Sequence, residues 1–380
     1  MKKSIYKTGI YRRFRSHAMA FSTCLLVTAC GSSGGSSTST PPLSNTPPTS
    51  QQEQRIELPD TEQNSLGDAL SASDAVQQMG IGINLGNTLD APFEGDWALA
   101  GEEYYIEAFK NAGFKHVRIP ITWGNHVDEA SPYQIDAEFL NRVETIVNWV
   151  LSRDLIAIIN VHHDEWLKSD YDNVSNLNRF DSIWMQVSAR FKNAPSNLIF
   201  EIINEPRGLT EPQLNELNKR ALSIIRNETS NRLVIFAGNE WSAIDRLLAI
   251  DNPDPTDPFL IGNFHSYDPW EFAGICTQSW GSNLDKQDLR DIYVQAYEWS
   301  VANNVPVIVN EFGSAKYDFQ NPENVCDQSQ REEYLRTHVQ YAFEFGIAGT
   351  FWDDGGSFST YDRATDSWGP EMLILTGNQR

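Results

Sequence analysis

The stretch LIFEIINEP, residues 198–206, decides the fold of this 380-residue chain. It is apolar enough to be a buried strand, yet it carries two carboxylates, Glu201 and Glu205. A buried charge is costly unless it is paired or used. Seven similar runs surround it: GINLG (82–86), HVRIP (116–120), LIAIINVHH (155–163), RLVIFAG (232–238), FLIGNFHSY (259–267), VPVIVNEFG (305–313) and GIAGTFWDD (346–354). Continuous apolar runs of this length indicate parallel strands covered on both faces. Amphipathic stretches separate them, and one opens with the helix-start pattern Thr210-Glu-Pro212. Eight such units predict a single (β/α)8 (TIM) barrel over residues 65–380. A doubly wound sheet is the alternative, but no GxGxxG follows the first strand.

In a barrel the functional residues gather at the C-terminal ends of the strands. Here the second run contains Arg118, and the third ends in His162 and His163. The fourth ends in Asn204 and Glu205, the sixth in His265 and Tyr267, the seventh in Asn310 and Glu311, and the eighth in Trp352 and Asp353. Two carboxylates in one cleft suit glycoside hydrolysis: one protonates the leaving oxygen, the other attacks or activates water. A retaining enzyme needs ~5–5.5 Å between them, an inverting one ~6.5–9.5 Å. Glu201, deeper in the same strand, is expected to point inward, ~13 Å below Glu205 by strand rise, and to brace the barrel floor, paired with Arg118.

These motifs, IFEIINEP, VIVNEFG, HVRIP, INVHH, NFHSYDP and TFWDDG, resemble glycoside hydrolase family 5, in the clan of retaining (β/α)8 glycosidases. The resemblance covers residues 75–376, and NLGNTLDAPFEGDW and YDPWEFAG further resemble its bacterial endo-β-1,4-glucanases. It implies Glu205 as acid/base and Glu311 as nucleophile. Arg118, His162, Asn204, His265, Tyr267 and Trp352 match the remaining site positions. It also implies a cis peptide bond between Trp352 and Asp353. The implied substrate is a β-1,4-glucan polysaccharide, with a mannan or xyloglucan as the alternative backbone, and no cofactor. A non-catalytic glycan-binding lipoprotein and a metal-dependent hydrolase are the competing functions.

Other residues have two readings each. Asn87 and Asp90 either bind sugar hydroxyls or stabilise the turn after the first strand. Trp241 directly follows a strand end, which makes it a candidate sugar platform. His163 either touches substrate or packs. VHHDE (161–165) has metal-ligand residue types, but adjacent strand residues point to opposite sides, so no metal is expected there.

The net charge is −22, although six Lys and Arg lie within the first 15 residues and no acid precedes Glu53. Such a surface disfavours nucleic acid and anionic lipid as partners. The chain is expected to act as a monomer. Residues 1–29 read as an export signal: a basic stretch, then an apolar run too short to span a bilayer. VTAC (27–30) is similar to a lipobox, in which Cys30 becomes the acylated first residue. Ordinary cleavage near residue 30 is the alternative. Residues 30–64, rich in Ser, Thr, Pro and Gly, form a tether. The expected location is the outer membrane or cell surface, through that anchor, or otherwise the medium. Cys276 and Cys326 are an even pair in an exported chain. They form a disulfide if their loops meet and remain separate thiols if not.

Overall fold

A computed structural model of the chain describes residues 70–377. The expected export signal, Cys30, the tether and the boundary at Ser65 lie outside the described residues.

Eight parallel strands form a closed barrel. They are β1 (Ile81–Asn84), β2 (His116–Ile119), β3 (Ile156–Asn160), β4 (Leu198–Glu201), β5 (Val234–Ala237), β6 (Leu260–Ser266), β7 (Val307–Phe312) and β8 (Ala348–Phe351). Closure runs through β1 and β8, with Ile81 opposite Gly349 and Ile83 opposite Phe351. Every residue of these strands is buried. That is why each run is apolar throughout rather than alternating. All eight predicted strands are present, each shorter than its apolar run, so most site residues lie just past a strand end.

The outward strand faces pack on the surrounding helices. One of these, Glu211–Glu228, starts as its sequence predicts: Gln213 N–H donates to Thr210 Oγ1, and Thr210 N–H donates to Gln213 Oε1. The fifth unit departs from the pattern. After β5 come two single turns, Asn239–Ser242 and Ile244–Leu247, in place of a long helix.

The barrel interior has an apolar and a polar part. The apolar part holds Ile156, Ile158, Ile199, Ile235, Ile261 and Ile308, and the helix Ala72–Met79 packs onto it through Ala72, Ala75, Val76 and Met79. Ser71 caps that helix by accepting from Asp74 N–H. Where the two parts meet, the buried His116 ring hydrogen-bonds with Met79 O (2.9 Å) and Thr350 Oγ1 (2.7 Å). Burial lowers its pKa to about 4, so the ring is neutral. Gly82 makes room for it, since a Cβ there would stand 2.4 Å from the imidazole.

Two further strands, β9 (Tyr361–Asp362) and β10 (Ser367–Trp368), form an antiparallel hairpin after β8. Cys276 and Cys326 are joined in a disulfide, S–S 2.06 Å, linking the loop after β6 to the loop after β7.

Candidate active site

The site is assembled around Arg118. Its side chain is fully buried on β2, and all five N–H donors are used. Nε and Nη2 donate to Glu201 Oε2 (2.7 Å) and Oε1 (2.9 Å). Nη1 donates to Asn84 Oδ1 (2.9 Å) and Glu311 Oε1 (2.6 Å), and the second Nη2 proton goes to Asn204 Oδ1 (2.7 Å). Glu201 also accepts from Asn160 Nδ2 (3.3 Å) and Asn310 Nδ2 (3.0 Å). The pairing expected between Glu201 and Arg118 is present, but its depth is not. Glu201 shares one guanidinium with Glu311, so it lies directly beneath the strand-end residues rather than at the barrel floor. The strand-rise estimate fails because β4 stops at Glu201 and the chain turns through Glu205, whose φ is +41°.

Glu311 lies within β7 opposite His265, beside a register shift between Phe264 and His265. Such a bulge re-aims side chains at a sheet rim. Tyr267 Oη donates to Glu311 Oε2 at 3.0 Å. Burial, and then the charge of Glu311, push the Tyr267 pKa well above the usual phenol value, so it stays a donor. Glu205 is partly exposed and pairs with His265 Nδ1 at 3.0 Å. The same nitrogen is 3.6 Å from Glu311 Oε2. One carboxylate oxygen of Glu205, one of Glu311 and a ring nitrogen of His265 all lie within 4.8 Å of one another.

On the other side stand His162, His163 and Asp90, with one ligand-type atom from each inside 4.8 Å. The two rings and the carboxylate therefore converge, contrary to the expectation that the two histidines diverge. Strand alternation does not extend to them because β3 ends at Asn160. The donor set still does not suit a three-ligand metal centre. Asn160 Oδ1 accepts from Ile121 N–H, which fixes the amide, and its Nδ2 donates to His162 Nδ1 (3.1 Å). Neutral His162 then carries its proton on Nε2 and has no lone pair there for an ion. Burial holds His162 well below the ordinary imidazole pKa and His163 at about 4.

Asp90 is fully buried. Oδ1 accepts from Thr88 N–H at 2.8 Å, so it does stabilise the turn. Among the described residues Oδ2 has no hydrogen-bond partner, and it lies 3.9 Å from His163 Nε2. Burial raises its pKa to about 7. Asn87 occupies the same turn with φ +55°, a conformation asparagine tolerates.

Trp352 follows β8 and lies parallel to the His162 ring, centroids 5.9 Å apart. Gly86 permits this approach, because a Cβ there would meet Trp352 Cη2 at 2.9 Å. The Trp352–Asp353 bond is trans, which corrects the expected cis bond; the cis bonds among the described residues are Ser131–Pro132 and Asp268–Pro269. Asp353 belongs to the following loop, where Oδ2 accepts from Thr360 and Tyr361 N–H.

Trp241 is about half exposed (53 %), in a run of three left-handed residues, Glu240, Trp241 and Ser242. The Arg207 guanidinium lies 5.9 Å over its ring, and Trp241 N–H donates to Pro206 O at 3.3 Å. It therefore stands beside Glu205. Arg207 in turn donates to Glu165 Oε2 (2.7 Å). Lys168, which strand-end reasoning does not reach, is buried with Nζ donating to His162 O (2.9 Å). Its one signal is spacing: it lies three residues after Glu165, which it reaches at 3.6 Å.

Residues 77–357 match the family model described as Cellulase (glycosyl hydrolase family 5). Over 312 residues the chain is 41% identical to endoglucanase H of Acetivibrio thermocellus, covering 80% of this chain and 33% of that protein. It is 30% identical to endoglucanase 1 of Ruminococcus albus over 358 residues, covering 85% and 84%. The chain spans 33%, 56% and 39% of the first three curated relatives it matches, well short of their full length. The Thermotoga maritima endoglucanase Cel5A structure superposes with a TM-score of 0.75 at 32% identity, covering 80% of this chain and 99% of that one. A trimodular subfamily 4 endo-β-1,4-glucanase from Bacillus licheniformis gives 0.74 at 33%, covering 82% and 61%. With eight strands, the strand-end residues and the family match in agreement, the chain belongs to glycosyl hydrolase family 5.

Proposed function

We propose that this protein is a retaining endo-β-1,4-glucanase that cleaves β-glucan by double displacement. One observation carries the reading: carboxylate oxygens of Glu205 and Glu311 lie within 4.8 Å of each other. That closeness suits a covalent intermediate better than the wider gap an inverting enzyme keeps for its water. The two carboxylates also differ in their partners. Glu311 receives Arg118 and Tyr267, donors that suit an anionic nucleophile. Glu205 hydrogen-bonds with His265 and faces solvent more, which suits a group that exchanges protons.

Glu311 attacks the anomeric carbon while Glu205 passes its proton to the leaving glycosidic oxygen. Water then attacks the glycosyl ester, Glu205 takes its proton, and Glu311 is released as carboxylate. During the ester stage Glu311 loses its charge. Glu201 keeps Arg118 paired throughout, so the guanidinium is never left uncompensated. Asn204 gives its Oδ1 to Arg118, which leaves Nδ2 as a donor for the sugar 2-hydroxyl. His162 Nε2–H is a donor for further hydroxyls, and Asp90 Oδ2 is a donor when protonated and an acceptor when ionised. Trp352 provides a flat face at the cleavage point. Trp241, next to Glu205, is on the side of the leaving group. The relatives named endoglucanases support glucan as the backbone and internal cleavage.

The test is reducing-sugar release from carboxymethylcellulose, mixed-linkage glucan, xyloglucan and mannan, with product lengths measured and Glu311→Ala as control. Highest turnover on a β-1,4-glucan with oligosaccharide products is expected. No turnover on any of them overturns the proposal, and highest turnover on mannan or xyloglucan overturns the substrate assignment.

The sequence VTAC, followed by a Ser/Pro-rich tether, supports a lipidated Cys30 holding the enzyme at the outer membrane or cell surface. Among the described residues no helix is long and apolar enough to cross a membrane. Cys30→Ala is expected to move the protein from the membrane fraction to the soluble one. An unchanged distribution overturns the anchor.

A further inference from the structure

Away from the strand ends, the β9–β10 hairpin carries a partly exposed tryptophan, Trp368. Its ring rests on Tyr361, Phe114 and Phe109, with centroids 4.8, 5.7 and 5.9 Å away. The rest of its surface lines two recesses. One, of about 460 Å³, runs toward Lys316, Ser359, Thr360 and Asp362. The other, of about 410 Å³, runs toward Tyr104, Asn111 and Asp366. Both volumes fall within the ~300–1,000 Å³ of small-ligand sites. Neither recess is lined by a strand-end residue of the candidate active site.

The lining is specific in two ways. The Thr360 side chain is almost fully buried (4 % exposed), and among the described residues its Oγ1 has no hydrogen-bond partner. Such an orphan in a native protein calls for a ligand or an ordered water. Around it stand further groups suited to hydroxyls: Lys316 Nζ, which donates to Ser359 Oγ at 2.8 Å, and the Asp362 carboxylate. The two exposed aromatic surfaces are Trp368 and Tyr104, the latter fixed by donating from Oη to Arg363 O at 3.0 Å. Charge excludes an anionic ligand. Arg331 is neutralised by Glu371 at 2.8 Å, leaving Lys316 against Asp362 and Asp366. Aromatic faces combined with hydroxyl and carboxylate groups, without excess positive charge, match a neutral polyol.

We propose that the two recesses flanking Trp368 form a second saccharide-binding site, which holds a neutral β-linked glucan outside the catalytic cleft. This rests on the glucanase reading of the cleft for the choice of polysaccharide. A chain held at Trp368 stays near the enzyme between cuts, which raises its effective concentration at the cleft. Polymer cleavage then benefits, while a short oligosaccharide, bound in the cleft alone, does not.

The experiment is affinity electrophoresis in gels containing mixed-linkage β-glucan, using the full chain carrying Glu311→Gln so that the polymer survives. Trp368→Ala and Tyr104→Ala are compared in that background. Tyr104 is exposed, so its variant tests the site even if Trp368→Ala unfolds, which a thermal melt reveals. The expected result is at least threefold weaker retardation for each folded variant. In the active enzyme the same variants raise KM on the polymer at least threefold while cellotetraose turnover stays within twofold. Unchanged retardation overturns the second site and leaves the activity reading intact. An equal loss on polymer and cellotetraose also overturns it, since the residues would then act through the cleft. If the wild type cleaves no β-glucan, the activity reading fails, and retardation of Glu311→Gln still decides whether the Trp368 site binds glucan.

Discussion

Glu201 and Glu311 are bridged by one guanidinium: Arg118 reaches Glu201 at 2.7 Å through Nε and Glu311 at 2.6 Å through Nη1. All three side chains are buried. One positive charge therefore serves a permanent partner, Glu201, and the proposed nucleophile, Glu311. Removing it leaves two buried carboxylates without compensation, a loss of ~3–5 kcal/mol for a broken buried pair. Arg118→Lys supplies three donors in place of the five-donor fork. It is expected to lower kcat on an aryl β-cellobioside at least 100-fold and to lower the melting temperature. Glu201→Gln keeps the shape but frees Arg118 to pair with Glu311 alone. It should destabilise the fold by a similar amount and lower kcat without altering the product lengths. A melting temperature within a degree of wild type for both variants would show that the bridge is not structural.

Tyr267 offers a test of sign. Its raised pKa means the folded state keeps the phenol proton where the unfolded chain would lose it. The stabilisation from this group is thus fully present below pH ~10 and is lost as pH rises further. In the working range the phenol is a constant donor to Glu311. Tyr267→Phe is predicted to lower kcat about 10- to 100-fold, as for removal of one charge-assisted donor worth ~1.5–3 kcal/mol. The pH–rate profile of the variant should keep its shape below pH 9. Disappearance of the alkaline limb in Tyr267→Phe would contradict this assignment.

Asp90 also has a raised pKa, but here the consequence falls within the working pH range. Burial raises its pKa to about 7, so the folded state favours the neutral acid. Below the ordinary carboxylate pKa both states are protonated and nothing is lost. As pH rises from about 4 to about 7 the unfolded chain ionises first, and the native state loses stability, roughly 4 kcal/mol at most. Asp90→Asn retains the acceptor for Thr88 N–H and removes that penalty. The variant is expected to be more stable than wild type at pH 8 and equal to it at pH 4, measured by chemical denaturation. Above pH 7 it should also bind glucan more weakly, because an amide donor then takes the place of the ionised Oδ2. A stability difference independent of pH would rule out the buried carboxyl as its source.

Much of this site is legible in the sequence because a parallel barrel makes its strands conspicuous. Ile156, Ile158 and Ile199 face inward while Ile159 and Phe200 face the helices, so the apolar runs are unbroken and polar residues stand out where they end. Arg118, Asn204, Glu205, His265, Tyr267 and Glu311 are conspicuous for that reason, and the structure brings them together. The reading errs where a strand ends earlier than its apolar run. Extending β4 to Glu205 puts Glu201 too deep, and extending β3 to His163 makes His162 and His163 diverge. Burial is hidden for another reason. Lys168 and Asp90 are charged residue types, and apart from the spacing of Lys168 from Glu165 nothing local distinguishes them from solvated charges. The short helix Ala72–Met79 is inconspicuous because its apolar face spans only about two turns.

The disulfide between Cys276 and Cys326 spans 50 residues and ties the loop bearing Trp270 to the loop after the strand of Glu311. Cross-linking removes conformations from the unfolded chain, and for a loop of this length the chain-entropy relation gives about 4 kcal/mol as an upper value. Its position adds a local role. Tyr267 and Trp270 meet edge to face at 5.9 Å, and Ala315 N–H donates to Ala273 O at 2.7 Å, so the two loops are already packed together. Opening the disulfide is therefore expected to loosen the loops rather than separate them. The double variant Cys276→Ser/Cys326→Ser should melt several degrees lower than wild type under oxidising conditions. Wild type treated with a thiol reductant should approach the variant, while the variant should not respond to reductant at all. Because Tyr267 is held by Glu311 as well as by its loop, kcat at 25 °C should fall less than threefold, with the loss appearing on heating. A large loss of kcat at 25 °C with an unchanged melting temperature would mean that the disulfide positions Tyr267 directly.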